Sequence, residues 1–199
     1  MVSNNRYQPR YSNMLDNDNV WTGTNTFVGG IGNSTTTLAT EEGSGMSGLA
    51  SYSSSITQVG NRIYTTIDVD IQGIVSSATA DDVIGDDDAA NAHIGQILNA
   101  ESGYLLSGSM TCLEAPLGGD VDINLSASSA ATGAEDADVT GLANYAQLLN
   151  GGTWTLGLAQ ALTALPTTAY YLYLSAGTGD ADTYTAGKFR IELVGVAIA

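Results

Sequence analysis

The sequence predicts an all-β fold. A β-sandwich is expected, with a jelly roll as its natural form, preceded by an extended N-terminal arm. Three observations point there. Apolar and polar residues alternate with period 2 in several segments. The cleanest is 62–71, where Ile63, Thr65, Ile67, Val69 and Ile71 interleave with Tyr64, Thr66, Asp68 and Asp70, the spacing of a strand with one buried face. About seven or eight such runs are divided by Gly, Asp and Asn turns. No alternation of strand with helix, the signature of a parallel sheet, interrupts them.

In chain order, residues 1–20 are polar and rich in Asn, with Pro9, and read as an arm that orders on contact with a partner. Residues 21–60 form a Gly/Ser/Thr-rich segment, expected to be irregular with short strands. It opens on the alternation Val20-Trp21-Thr22-Gly23-Thr24-Asn25-Thr26-Phe27, with Trp21 and Phe27 as anchors. The sandwich body is expected over 61–199. Within it, residues 76–92 read as a loop. The turn Asn99–Gly103 reads as a hairpin between the runs 93–98 and 104–113. Pro116 to Gly119 reads as a second turn, leading into the alternating run 120–125. Residues 126–141 read as an acidic surface loop, and the two long acidic loops are placed at the sandwich ends. Leu142–Leu149 fits one or two turns of helix closed by Asn150-Gly151-Gly152. Strands follow at 154–162, 169–176 and 184–198. In the last, Phe189, Ile191 and Leu193 oppose Lys188, Arg190 and Glu192 before the alternation dissolves into Val194-Gly195-Val196-Ala197-Ile198. Burial of that apolar end by a neighbouring chain would explain it.

Charge is distributed unevenly. The chain has 5 basic and 21 acidic residues, a net charge of −16, and only 13% charged residues, about half the usual share. Residues 1–15 hold Arg6 and Arg10 and no acid, so the remaining 184 residues carry three bases against 21 acids. Such an anionic body argues against nucleic acid as the main partner, because binding a polyanion needs Lys and Arg to release counterions. Acid-rich, lysine-poor surfaces also suit saline surroundings. No run approaches the roughly 20 apolar residues of a membrane span, and the N-terminus has no apolar signal core. Neither a membrane partner nor a cofactor is expected.

Catalytic signatures are weak. His93 is the sole histidine, and Cys112 the sole cysteine, set between Thr111 and Leu113, where an inert buried thiol is expected. Glu114 is the acid with the most apolar neighbours, as one half of a glycosidase pair would need. The clusters Asp81-Asp82, Asp86-Asp87-Asp88, Asp120/Asp122 and Asp180/Asp182 resemble calcium loops only in composition. They are expected to be solvated, with no metal site assigned. The arm is more pointed. Arg6, Tyr7, Arg10 and Tyr11 set Arg beside Tyr, the residue types enriched where interfaces carry energy. With Trp21 they form the candidate partner-binding set. Tyr171, Tyr173, Val194, Val196 and Ile198 are the candidate subunit contacts.

The segments TTIDVDIQGI (65–74), GSMTCLEAPLGGDVDINL (108–125), LLNGGTWTLGLAQALTALP (148–166) and YLYLSAGTGDADTYTAGKFRIELVG (171–195) resemble small virion proteins of tailed bacteriophages, notably those of marine and cyanobacterial hosts. The resemblance implies a non-enzymatic virion component with a β-sandwich or jelly-roll body. Within that class, decoration (cement) proteins sit on the capsid exterior as trimers over its symmetry axes, clasping neighbouring major capsid proteins. A tail-fibre or receptor-binding adhesin with acidic loops for Ca²⁺ and glycan is the alternative expectation. A cell-wall hydrolase acting through Glu114 or His93 comes third.

Overall fold

Ile63, Thr65, Ile67 and Val69 are buried while Arg62 and Tyr64 are exposed, so the alternation read from the sequence is the alternation of the strand. The computed structural model of the chain describes residues 34–167 and 169–197. This strand, the cleanest alternation in the sequence, is β3 (Arg62–Asp70), preceded by β1 (Ser34–Thr36) and β2 (Ser51–Val59). β2 and β3 pair along their whole length from Ser51↔Asp70 to Val59↔Arg62. Their two-residue turn is Gly60–Asn61, with Gly60 at φ +63°, a conformation glycine adopts without steric cost.

On its other edge β3 pairs with β12 (Ala186–Val196), from Lys188↔Asp70 to Val196↔Arg62. β12 in turn pairs with β6 (Tyr104–Leu117), whose other neighbour is the short β9 (Ala159–Ala161). This completes a six-stranded antiparallel sheet in the order β1-β2-β3-β12-β6-β9. A second sheet is built from β5 (Gln96–Ile97), β7 (Ile123–Ser128), β8 (Ala146–Leu149) and β10 (Tyr170–Ala176), in the order β5-β10-β7-β8. A small ribbon pairs β4 (Val75–Ser76) with β11 (Asp182–Thr183).

The two sheets share one core. Ile67, Val69, Met110, Phe189 and Ile191 come from the larger, and Ile123, Leu125, Leu172 and Leu174 from the smaller. Each such side chain contributes roughly 1.5–3 kcal/mol by leaving water. The protein is therefore an all-β sandwich, as the strand pattern predicts. Its pairings have a simple logic. β3 lies beside β12, β5 beside β10, β6 beside β9 and β7 beside β8. The chain from β3 to β12 is thus doubled on itself, with the fold-back between β7 and β8. The contacts β12·β6 and β10·β7 then roll that doubled ribbon into two sheets.

Several elements differ from the sequence reading. Ser51–Val59 is a regular nine-residue strand instead of irregular chain. Its small inward side chain Ser54 is accommodated because it hydrogen-bonds Leu38 N and Glu41. Asn99–Ser102 is a single helical turn ended by Gly103, where a hairpin turn was expected. β6 runs on through Pro116 to Leu117, so the chain turns at Gly118 and Gly119. The helix expected over Leu142–Leu149 is absent, and Ala146–Leu149 is strand. Pairing with β7 and burial of Leu148 and Leu149 override a locally helical sequence.

The acidic loops are also not simply at the ends. Val83, Ile84 and Ile94 are fully buried, and the chain there runs along β10, with Ile84 N–H bonded to Leu174 O and Ile94 N–H to Leu172 O. Residues 126–128 are the buried end of β7.

Candidate functional site

The groups with catalytic potential lie apart. Cys112, on β6, is fully buried, its Sγ 3.2 Å from Glu114 O, and burial pushes its thiol up from the ordinary value. Glu114 lies on the outward side of the same sheet, 3.5 Å from Lys188 Nζ. His93 stands in the segment beside β10. Its ring lies 4.7 Å from that of Tyr171 and edge-on to Tyr173. Its Nδ1 is buried without a partner, and among the described residues no hydrogen bond joins the ring to a serine or to Cys112.

Burial holds the His93 pKa below its usual 6.5. The ring is neutral when folded, and the unfolded chain takes the proton first. Its contribution to stability is complete above pH 6.5 and declines as pH falls below 6.5 through the lowered native value. We expect the melting temperature of the natural protein to drop more steeply from pH 7.5 to 5.5 than that of His93→Phe, measured by calorimetry. The acids are common to both proteins, so parallel curves would refute this.

The aspartates were expected to be solvated, and several are not. Asp120 is 1% exposed, and its carboxylate accepts from Asp122 N, Thr178 N, Gly179 N and Thr178 Oγ1 at 2.7–2.9 Å. Burial works to raise its pKa, but these hydrogen bonds outweigh it and the net displacement is downward. Asp122 moves upward, through burial and the neighbouring Asp120 charge. Asp82 is buried and accepts from Ser77 Oγ. Asp86 accepts from Gly48 N and Ser47 Oγ. These carboxylates tie loops together. Nothing in the spacing of the acids announces this, but the glycines around them (Gly118, Gly119, Gly177, Gly179) signal close approach of chain to chain.

Asp87, Asp88, Glu135, Asp136 and Asp182 line an open recess of about 500 Å³ with Ser77. Glu135 there is pushed up by burial, with the charges of Asp136, Asp87 and Asp88 adding to it. Among the described residues, no three His, Cys, Asp or Glu side chains converge as a group that could hold a metal ion.

The outward face of the six-stranded sheet has two contrasting ends. At one, Arg190 grips Asp68 with Nε and Nη2, both at 2.8 Å, and Lys188 Nζ lies 3.2 Å from Asp70. At the other, the cross-strand rows are Val59–Arg62–Val196–Tyr104 and Thr57–Tyr64–Val194–Ser107. Val194 and Val196, expected at a subunit contact, are thus partly exposed on this face. Tyr64 and Tyr104 join them, unnoticed in the sequence although both sit in the outward phase of their strands. Tyr171 is half-buried against His93. Tyr173 cannot serve a subunit contact: it is fully buried, its hydroxyl donating to Ala130 O at 2.6 Å and accepting from Gly133 N.

Arg6, Tyr7, Arg10, Tyr11, Trp21 and Ile198 lie outside the described residues. Comparisons of the chain with protein-family models, with curated proteins and with solved structures each return no match.

Proposed function

We propose that this chain is a virion structural protein, a capsid decoration (cement) protein that binds the outside of a phage head and stabilises it. The observation that carries this reading is the division of charge. Residues 34–199 hold 19 acids and three bases, and two of those bases, Lys188 and Arg190, are already bound to acids of the same sheet. The other two bases of the chain, Arg6 and Arg10, fall in a stretch without acids and are framed by Tyr7 and Tyr11. In this reading the N-terminal segment, with Trp21 behind it, grips the major capsid protein, and the acidic sandwich faces solvent.

The doubled ribbon of the body supports assigning it to the jelly rolls, in which eight strands form two Greek keys. A protein that binds only the assembled shell raises the free energy of disrupting it. Association of several copies multiplies weak individual grips.

Arg6→Glu/Arg10→Glu should reduce occupancy on isolated heads by more than tenfold while the body melts as before. The measurement is co-sedimentation with heads and, separately, with tails. Unchanged occupancy, or binding confined to tails as an adhesin would show, overturns the reading.

A further inference from the structure

We propose that the Tyr64–Val194 end of the larger sheet's outward face is where a second copy of this chain docks, by a two-fold contact that pairs Arg62 of each copy with Glu192 of the other.

Large apolar side chains gather at this end, as Leu113, Leu117 and Leu156 do beside Glu114. Tyr104 is 57% exposed, Val59 and Leu106 51%, and Tyr64 45%. With Val194 and Val196 they leave an apolar strip on the order of a few hundred Å², interrupted by Arg62, a size that in monomers is often functional. Leu106 stands out because β6 is bulged where Val194↔Ser107 gives way to Gly195↔Leu105, and bulges re-aim side chains. The next row inward is Ser55–Thr66–Glu192–Ser109. In the paired copy its small side chains lie opposite the Val59–Arg62–Val196–Tyr104 row and extend the contact toward the roughly 800 Å² per partner of a stable interface.

Charge selects the occupant. Two bodies that are each strongly anionic repel over most of their surfaces. These apolar rows contain no acid, and they hold Arg62, which among the described residues is the base that makes no ion pair. Glu192 is exposed one row beyond Tyr64 and Val194 and likewise makes no ion pair. A recess of about 340 Å³ opens between Tyr64, Ser107, Ser109 and Glu192. When two copies meet face to face about an axis through the Tyr64–Val194 row, Arg62 of each enters the recess of the other and reaches its Glu192. A self-complementary patch of this kind closes as a dimer. The contact forms between free molecules and holds whether or not the chain binds a shell.

The test is sedimentation equilibrium of the full chain at micromolar concentration. The natural protein should show twice its 20.4 kDa chain mass. Tyr64→Ser/Val194→Ser should weaken association at least tenfold with an unchanged far-ultraviolet spectrum and melt. Arg62→Glu should weaken it too, and Arg62→Glu/Glu192→Arg should restore it. Trp21→Ser/Phe27→Ser should leave the dimer intact. A monomer, a trimer, a dimer indifferent to the Tyr64/Val194 change, or a charge swap that fails to rescue overturns the proposal. So does loss of the dimer in the Trp21/Phe27 variant, which would give the strip to residues 20–27 instead.

Discussion

Trp154→Ala is expected to lower the unfolding free energy by about 3–5 kcal/mol, the range for removing a large aromatic from a core. Trp154 is 2% exposed and meets the ring of Phe189 edge-on at 5.4 Å, so it packs against the larger sheet. Its Nε1 donates to Ile123 O, on the smaller sheet, at 2.8 Å. One side chain therefore binds both layers. Gly151 makes room for it, since a Cβ there would stand 2.4 Å from the indole nitrogen. For a body of this size the loss corresponds to a fall of about 10 °C in melting temperature. Urea unfolding should show a lower midpoint with the same slope. Trp154→Phe should cost less, roughly 1–3 kcal/mol, chiefly for the carbonyl left without a donor. A loss below about 1 kcal/mol for the alanine variant would show that the indole is not the link between the sheets.

Asp120→Ala ranks with it, at about 3–5 kcal/mol, because removing one partner of a buried charged network strands the others. Three backbone amides and the Thr178 hydroxyl lose their acceptor. With them goes the tie between the turn after β6 and the turn after β10. Tyr184, whose hydroxyl donates to Asp120 O at 2.8 Å, packs against the same junction. Asp120→Asn should be nearly as damaging, since one end of its amide presents N–H to N–H. The carboxyl titrates lower in the folded state than in the unfolded. Its stabilisation is therefore complete above the usual carboxylate value near pH 4 and disappears as pH falls through the native one. Equilibrium urea unfolding at pH 7 and pH 3 checks both statements: the gap between natural protein and Asp120→Ala should narrow at the lower pH. A constant gap would contradict the role given to the charge.

Strands with strict alternation were legible in the sequence because each side chain's burial follows from its own position. β3 and β12 are the examples, down to the opposition of Phe189 and Ile191 to Lys188 and Arg190. Strands held by partners were not. Leu142–Leu149 has the composition of a helix, and only β7 alongside makes its end a strand. Ser51–Val59 is masked by serines, whose small side chains suit the sheet once Glu41 and Leu38 satisfy Ser54.

The candidate surface was half legible. The loss of alternation after Leu193 marked Val194 and Val196 as unusual, but Tyr64 and Tyr104 fill polar phases and looked like ordinary outward residues. Tyr173 misled for the opposite reason. Its hydroxyl is satisfied by the backbone of a loop distant in sequence, which makes full burial affordable. Asp120 misled likewise, because carboxylates in glycine-rich turns ordinarily face water.

The doubling of the ribbon has a consequence for biosynthesis. β3 and β12 are central in the same sheet, yet Asp68 and the Arg190 it holds are 122 residues apart. A ribosome adding about 5–20 residues per second leaves β3 with an open edge for many seconds before its neighbour emerges. Topologies dominated by such distant pairings fold slowly, over milliseconds to seconds. During that interval the nascent hairpin β2–β3 is a template for pairing with other nascent copies. Its Asp68 and Asp70, later neutralised by Arg190 and Lys188, are then bare, and their mutual repulsion between chains guards the edge until the correct strand arrives.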